Sequence, residues 1–197
     1  MSKTNSKNKT GMKIAILGWG SLLSATNKKN LSIVGNKFNS NGPEIPLELT
    51  RISNDGRLTL VIDEEVGVTN KAMFAISKHG SINKAFDELV KIEKVQPNRI
   101  GVVDIKNEQT SESATRHSTT TMSIAKWAQK NKFDAVLWCG LGRKFKDKIN
   151  VKFSPNAAVK YLAGLPNTER NNSLKYIKGL PKTIKTPAIE LIIKELF

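Results

Sequence analysis

Apolar positions change their spacing along this chain, and each change marks an element. Ile14-Ala15-Ile16-Leu17 is a continuous apolar run of strand length, the pattern of a strand buried on both faces. It ends in Gly18-Trp19-Gly20-Ser21, where two glycines permit a tight loop and let a ligand approach backbone N–H groups closely. Residues 47–53 and 57–63 alternate apolar and polar positions, and Asn54-Asp55-Gly56 between them signals a hairpin. Residues 72–76, 100–105 and 134–139 read as further strands, and the helical period covers 82–94 and 119–132. Ser154-Pro155 and Thr186-Pro187 each set a capping side chain before a proline at the first helical position. They open helices over 157–165 and 188–196, with another over 168–178 between them. Residues 24–46, with Gly35, Gly42, Pro43 and Pro46, read as a long irregular connection, and 106–117 as a polar loop.

Strands interspersed with helices, including a tight antiparallel hairpin, predict an α+β fold rather than a regular βαβ array. The expected form is a single domain over residues 13–197. Its core is a mixed or antiparallel sheet, or a small barrel, of about six strands with flanking helices. The C-terminal part, from about residue 154, is helical. Residues 1–12 read as a disordered polar tail with no apolar stretch for a signal peptide or anchor, so a cytoplasmic location without membrane attachment is expected.

Charge alters this picture only locally. The net charge is +15, of which four lysines sit in residues 1–13 and +8 in residues 143–197, leaving +3 for the remainder. The basic excess therefore belongs to the tail and the helical end, away from the glycine loop. Such faces bind nucleic acid in some proteins and are solvated surface in others. Cys139 is the only cysteine, and His79 and His117 lack metal-ligand spacing, so no intrachain disulfide and no metal site is expected. Asp63 and Glu64 close a hairpin strand as loop-end acids, with too few further ligands nearby for a cation.

The glycine loop lacks the third glycine of a dinucleotide fingerprint and the Gly-Lys-Ser/Thr of a P-loop. A small anionic or zwitterionic ligand suits it better than a nucleotide. Ser21 has no evident His/Asp relay. Two residues break the patterns they sit in. Arg51 shares the alternation of Leu47 and Leu49, so burial of that face would turn a cation inward, where it needs an acid or an anionic ligand. Glu93 follows Ile82, Phe86 and Leu89 on one helical stripe, and a carboxylate on the core side of a helix end suits proton transfer.

Gly20-Ser21-Leu22 directly after a first strand, with Leu89 and Glu93 on a helix roughly 70 residues later, resembles the γ-glutamylcyclotransferase-like superfamily. The resemblance covers residues 14–105. Trp19 stands where that pattern has tyrosine, and Lys94 where it has a glycine. The resemblance implies a cofactor-independent enzyme acting on a γ-glutamyl amine or peptide. Gly18, Trp19, Gly20, Ser21 and Leu22 would hold the substrate, and Glu93 would act as general acid and base while the α-amine attacks the γ-carbonyl and releases 5-oxoproline. Arg51 joins this set as a candidate substrate contact. The alternatives are a non-catalytic member of the fold binding a small anion or a protein, and a basic nucleic-acid-binding protein, ranked last.

Overall fold

The computed structural model describes residues 11–23, 32–35 and 37–197. The expected tail up to residue 10 and, within the expected connection 24–46, residues 24–31 and 36 lie outside the described residues. The fold is α+β, and among the described residues the strands form two separate sheets and no closed barrel. Strands β1 (Ile14–Gly18), β2 (Glu44–Ile52), β3 (Leu58–Ile62), β4 (Val68–Lys71) and β5 (Met73–Ile76) precede helix α1 (Ile82–Glu93). Then come β6 (Ile100–Asp104), β7 (Gln109–Thr110), α2 (Glu112–Thr115), α3 (Ser118–Lys130) and β8 (Ala135–Cys139). Helices α4 (Phe145–Ile149), α5 (Pro155–Gly164), α6 (Asn167–Lys178) and α7 (Pro187–Leu196) complete the chain.

The larger sheet has the order β5-β1-β8-β6-β7, and the smaller one β3-β2-β4. β1 and β8 run parallel, with Ile14 opposite Ala135, while every other pair is antiparallel. Their carboxyl ends, Gly18 and Cys139, therefore finish on the same side, the edge at which ligand clefts of α/β sheets open. Every residue of β1 is buried, as its unbroken apolar run requires. Ile14 and Ile16 pack with Ala135, Leu137, Ala85 and Leu89 beneath α1. Ala15, Leu17, Val136 and Trp138 face the second core, shared with the small sheet, α3 and the C-terminal helices.

The hairpin forms where the sequence places it. Ser53 and Gly56 close the turn at 3.1 Å, and Gly56 takes the left-handed conformation, φ 80°, that the following residue of such a turn needs. Ser154 and Thr186 cap α5 and α7 by accepting the amides of Ala157 and Ile189 at 3.1 and 3.3 Å. Strand β4, the short pair β7–α2 and helix α4 arise in stretches whose patterns do not signal them. β2 also starts three residues earlier than its alternation, passing through Pro46.

β2 departs from its sequence pattern in a way that matters. Its register with β3 shifts between Glu48 and Arg51, the mark of a bulge. One extra residue inverts the alternation, so Ile52 rather than Arg51 follows Leu47 and Leu49 into the core. Arg51 is consequently no inward cation: it is half-buried and donates to the Gly142 carbonyl at 2.9 Å. The opposite face of β2 is covered as well, and Glu48 is only 1% exposed. Its carboxylate accepts the Leu49 amide at 2.7 Å, the Thr186 hydroxyl at 2.5 Å and the Ala188 amide at 3.4 Å. Glu48 thus fixes the start of α7 from a distant strand. Burial raises its pKa, and these three donors offset part of that rise.

Glu48→Ala would leave the Thr186 hydroxyl and the Ala188 amide buried without their acceptor. We expect a loss of about 2–4 kcal/mol in unfolding free energy, read from urea titrations at pH 7. A loss below about 0.5 kcal/mol would show that α7 does not depend on this carboxylate.

Candidate functional site

The end of α1 decides where the site falls. Lys94 terminates the helix in a left-handed conformation, φ 52°, with its amide bonded to the Val90 carbonyl. That is the helix-ending position at which glycine is least strained, so the lysine found here carries a modest backbone cost. Glu93, the last helical residue, is set beside the loop that follows β1. Ser21 Oγ donates to Glu93 Oε2 at 3.2 Å across 72 residues of sequence.

Ser21–Leu23 forms one turn of 3-10 helix, closed by Leu23 N–H donating to the Gly20 carbonyl at 2.9 Å. The first amides of such a turn have no partner within it. Gly18, Trp19, Gly20, Ser21 and Leu22 all line a cleft with Glu93, Thr59, Leu60, Cys139 and Tyr176. Its cavity volume is about 40 Å³, and the cleft opens to solvent. The structure therefore brings together all the sequence-predicted site residues except Arg51, which lies outside this lining.

Electrostatics in the cleft favour a proton-accepting glutamate. Burial raises the pKa of Glu93, while the Ser21 hydroxyl and the positive charge of Arg57 pull it back part of the way. Among the described residues no lysine or arginine pairs with Glu93 at ion-pair distance. Cys139 is held as the thiol: burial, and then the Glu93 charge, push its pKa far up. A thiol in that state is a poor nucleophile. Among the described residues no three His, Cys, Asp or Glu side chains cluster as a metal ion would need.

Two residues of the site have no sequence signal. Arg57 follows the hairpin turn, and its guanidinium lies 4.8 Å from the centroid of the Tyr176 ring. Tyr176 comes from α6, more than 150 positions from the loop it touches, and local pattern cannot report such a contact. Its hydroxyl accepts the Leu60 amide at 3.2 Å. Trp19 donates its indole N–H to the carbonyl of the same Leu60 at 3.3 Å. A Cβ on Gly20 would stand 2.6 Å from the Tyr176 oxygen, so glycine is required there by close approach.

The other acids flagged by sequence lie elsewhere. Asp63 is buried, and its carboxylate accepts the amides of Glu65 and Val66 while pairing with Arg143 at 3.4 Å. Glu64 accepts both the amide and the hydroxyl of Thr120, near the start of α3. Both are structural ties. No helix among the described residues is long and apolar enough to cross a membrane. Compared with protein-family models, curated proteins and solved structures, the chain finds no match.

The contact between Gly20 and Tyr176 predicts a coupling. Gly20→Ala costs about 1–3 kcal/mol in the natural background, because the phenolic oxygen must shift. In a Tyr176→Phe background, where the nearest ring carbon stands 3.6 Å away, the same change costs little. Thermal or urea unfolding of the four proteins measures the coupling, expected at about 1 kcal/mol or more. Additive costs would contradict the contact.

Proposed function

We propose that this chain is a cofactor-independent γ-glutamylcyclotransferase-like enzyme. The observation that carries the reading is the Ser21–Glu93 hydrogen bond. It joins the glycine loop to the pattern-breaking glutamate inside one cleft. The absence of a cation on Glu93 among the described residues supports the catalytic form over a purely structural one, in which a paired carboxylate would be expected.

The chemistry follows from the groups present. Loop amides around Gly20 and Ser21 suit the α-carboxylate of a γ-glutamyl group. Glu93 accepts a proton from the α-amine, whose nitrogen bonds to the γ-carbon of the same molecule. The tetrahedral intermediate then collapses, the bond from the γ-carbon to the leaving nitrogen breaks, and Glu93 returns the proton to that nitrogen. The products are 5-oxoproline and a free amine, with atoms and protons balanced. Holding the chain curled replaces a search through flexible conformers with one near-attack geometry, an effect worth about 7–11 kcal/mol in well-aligned cases. Proton transfer at Glu93 adds roughly 10²–10⁴-fold. The same hydrogen bond from Ser21 keeps Glu93 aimed at the loop.

Purified protein incubated with a panel of γ-glutamyl amines and peptides should release 5-oxoproline, measured by chromatography. Glu93→Gln should lower kcat/KM by roughly 10²–10⁴-fold while the fold persists. Full activity in that variant would remove Glu93 from the mechanism. Ser21→Ala gives an independent test through pH. The Ser21 hydroxyl lowers the Glu93 pKa, so its loss raises that pKa further, and the base is protonated over a wider acidic range. The acid limb of the kcat/KM profile should therefore move to higher pH. A limb that stays in place would show that it reports another group.

A further inference from the structure

Tyr176 enters the cleft from α6 and is held there from two sides. The Leu60 amide donates to its oxygen, and the Arg57 guanidinium covers its ring at 4.8 Å. Leu60 lies on β3, an edge strand of the small sheet, so this amide has no strand partner on the cleft side and fixes the phenol instead. A hydroxyl has one proton to donate as well as lone pairs to accept. Among the described residues the Tyr176 proton has no acceptor, although its oxygen sits against Gly20 in the cleft that also holds Glu93. Burial pushes the phenol up to about 12, so the group remains a donor across the neutral range.

We infer that Tyr176 is a catalytic residue of the cyclisation, donating a hydrogen bond to the γ-carbonyl oxygen of the substrate. This rests on the cyclotransferase reading above. As the α-amine nitrogen bonds to the γ-carbon, the carbonyl π electrons move onto oxygen, and that oxygen gains negative charge. As the bond to the leaving amine breaks, the charge returns. The phenolic proton stays on Tyr176 throughout, while Glu93 alone carries the transferred proton. A donor already oriented in a small, largely apolar cleft costs no reorganisation when the charge develops, which is the condition for a large effect. The loop amides and Tyr176 then divide the work: the amides receive a charge present from the start, and Tyr176 receives one that exists only in the transition state.

That division sets the test. Tyr176→Phe keeps the ring beneath Arg57 and removes only the hydroxyl. Assayed with the γ-glutamyl compound that the natural protein turns over fastest, it should lose roughly 100-fold in kcat with KM nearly unchanged. An unchanged kcat, or a raised KM with kcat retained, would overturn the inference and leave the cyclotransferase reading standing. Absence of 5-oxoproline from every compound with the natural protein would overturn both. A second measurement does not depend on the variant folding. The chain has two tyrosines, so 3-fluorotyrosine labelling gives one fluorine resonance for Tyr176 and one for Tyr161, whose hydroxyl donates to the Gly56 carbonyl. Adding 5-oxoproline should shift the Tyr176 resonance and leave the Tyr161 resonance in place. A Tyr176 resonance that does not respond to saturating 5-oxoproline would count against the contact.

Discussion

The backbone N–H and C=O of Leu60 are the point on which the cleft depends. Leu60 belongs to an edge strand, so its outward N–H and C=O have no ladder partner, and in a buried setting each would cost about 1–3 kcal/mol if left unpaired. Trp19 satisfies the carbonyl and Tyr176 the amide. One backbone unit therefore fastens three parts of the chain to one another: the loop after β1, the small sheet and helix α6. The cleft is the space left among them. Its polar content follows from the same requirement, because the groups that satisfy Leu60 bring a hydroxyl and an indole to its wall.

Against this frame stands the glutamate. α1 covers one face of the buried β1–β8 pair, and its apolar stripe fixes the rotation at which it lies. Glu93 continues that stripe by one position and is carried to the carboxyl ends of β1 and β8. The C-terminal end of a helix is the unfavourable end for a carboxylate, and burial adds to that cost. The fold tolerates a group that it would be more stable without. Such local costs are characteristic of functional positions, where the surrounding packing determines a side chain's place. Glu48 is a contrast: also buried and also raised in pKa, it is surrounded by three donors and lies outside the lining of the cleft. Burial alone therefore does not single out Glu93; its place in the lining of the cleft does.

Much of this was legible in the sequence because it is local. The run Ile14–Gly18, the Asn54-Asp55-Gly56 turn and the two capped prolines each carry their signal within a few residues, and the α+β class follows from their order. Glu93 was legible because a charge interrupted a 3.6-residue stripe. The facing of Arg51 is not legible from alternation, because the bulge in β2 breaks the period of two and inverts faces midway. Short elements such as β7 and α4 are below the length at which periodicity speaks. The barrel alternative failed because nothing in alternation reports whether sheet edges meet; here the strands form two sheets of five and three. Tyr176 could not be read at all. Within α6 it is one aromatic on a largely polar helix, and its place in the cleft exists only through contact with Gly20 and Leu60.

Trp19 and Lys94 bear on different properties of the chain. Lys94 occupies a left-handed helix end, where the missing glycine costs strain but no contact with the cleft lining, so this change bears on stability rather than chemistry. Trp19 carries no hydroxyl, and its only polar hydrogen is committed to the Leu60 carbonyl. An indole so engaged can wall the cleft but has nothing left to offer a reacting oxygen. The hydroxyl that remains available comes from α6, beyond the stretch covered by the resemblance. If the chain is a cyclotransferase, its C-terminal helices are part of the active site, and removing them would delete a reacting contact as well as a share of the core.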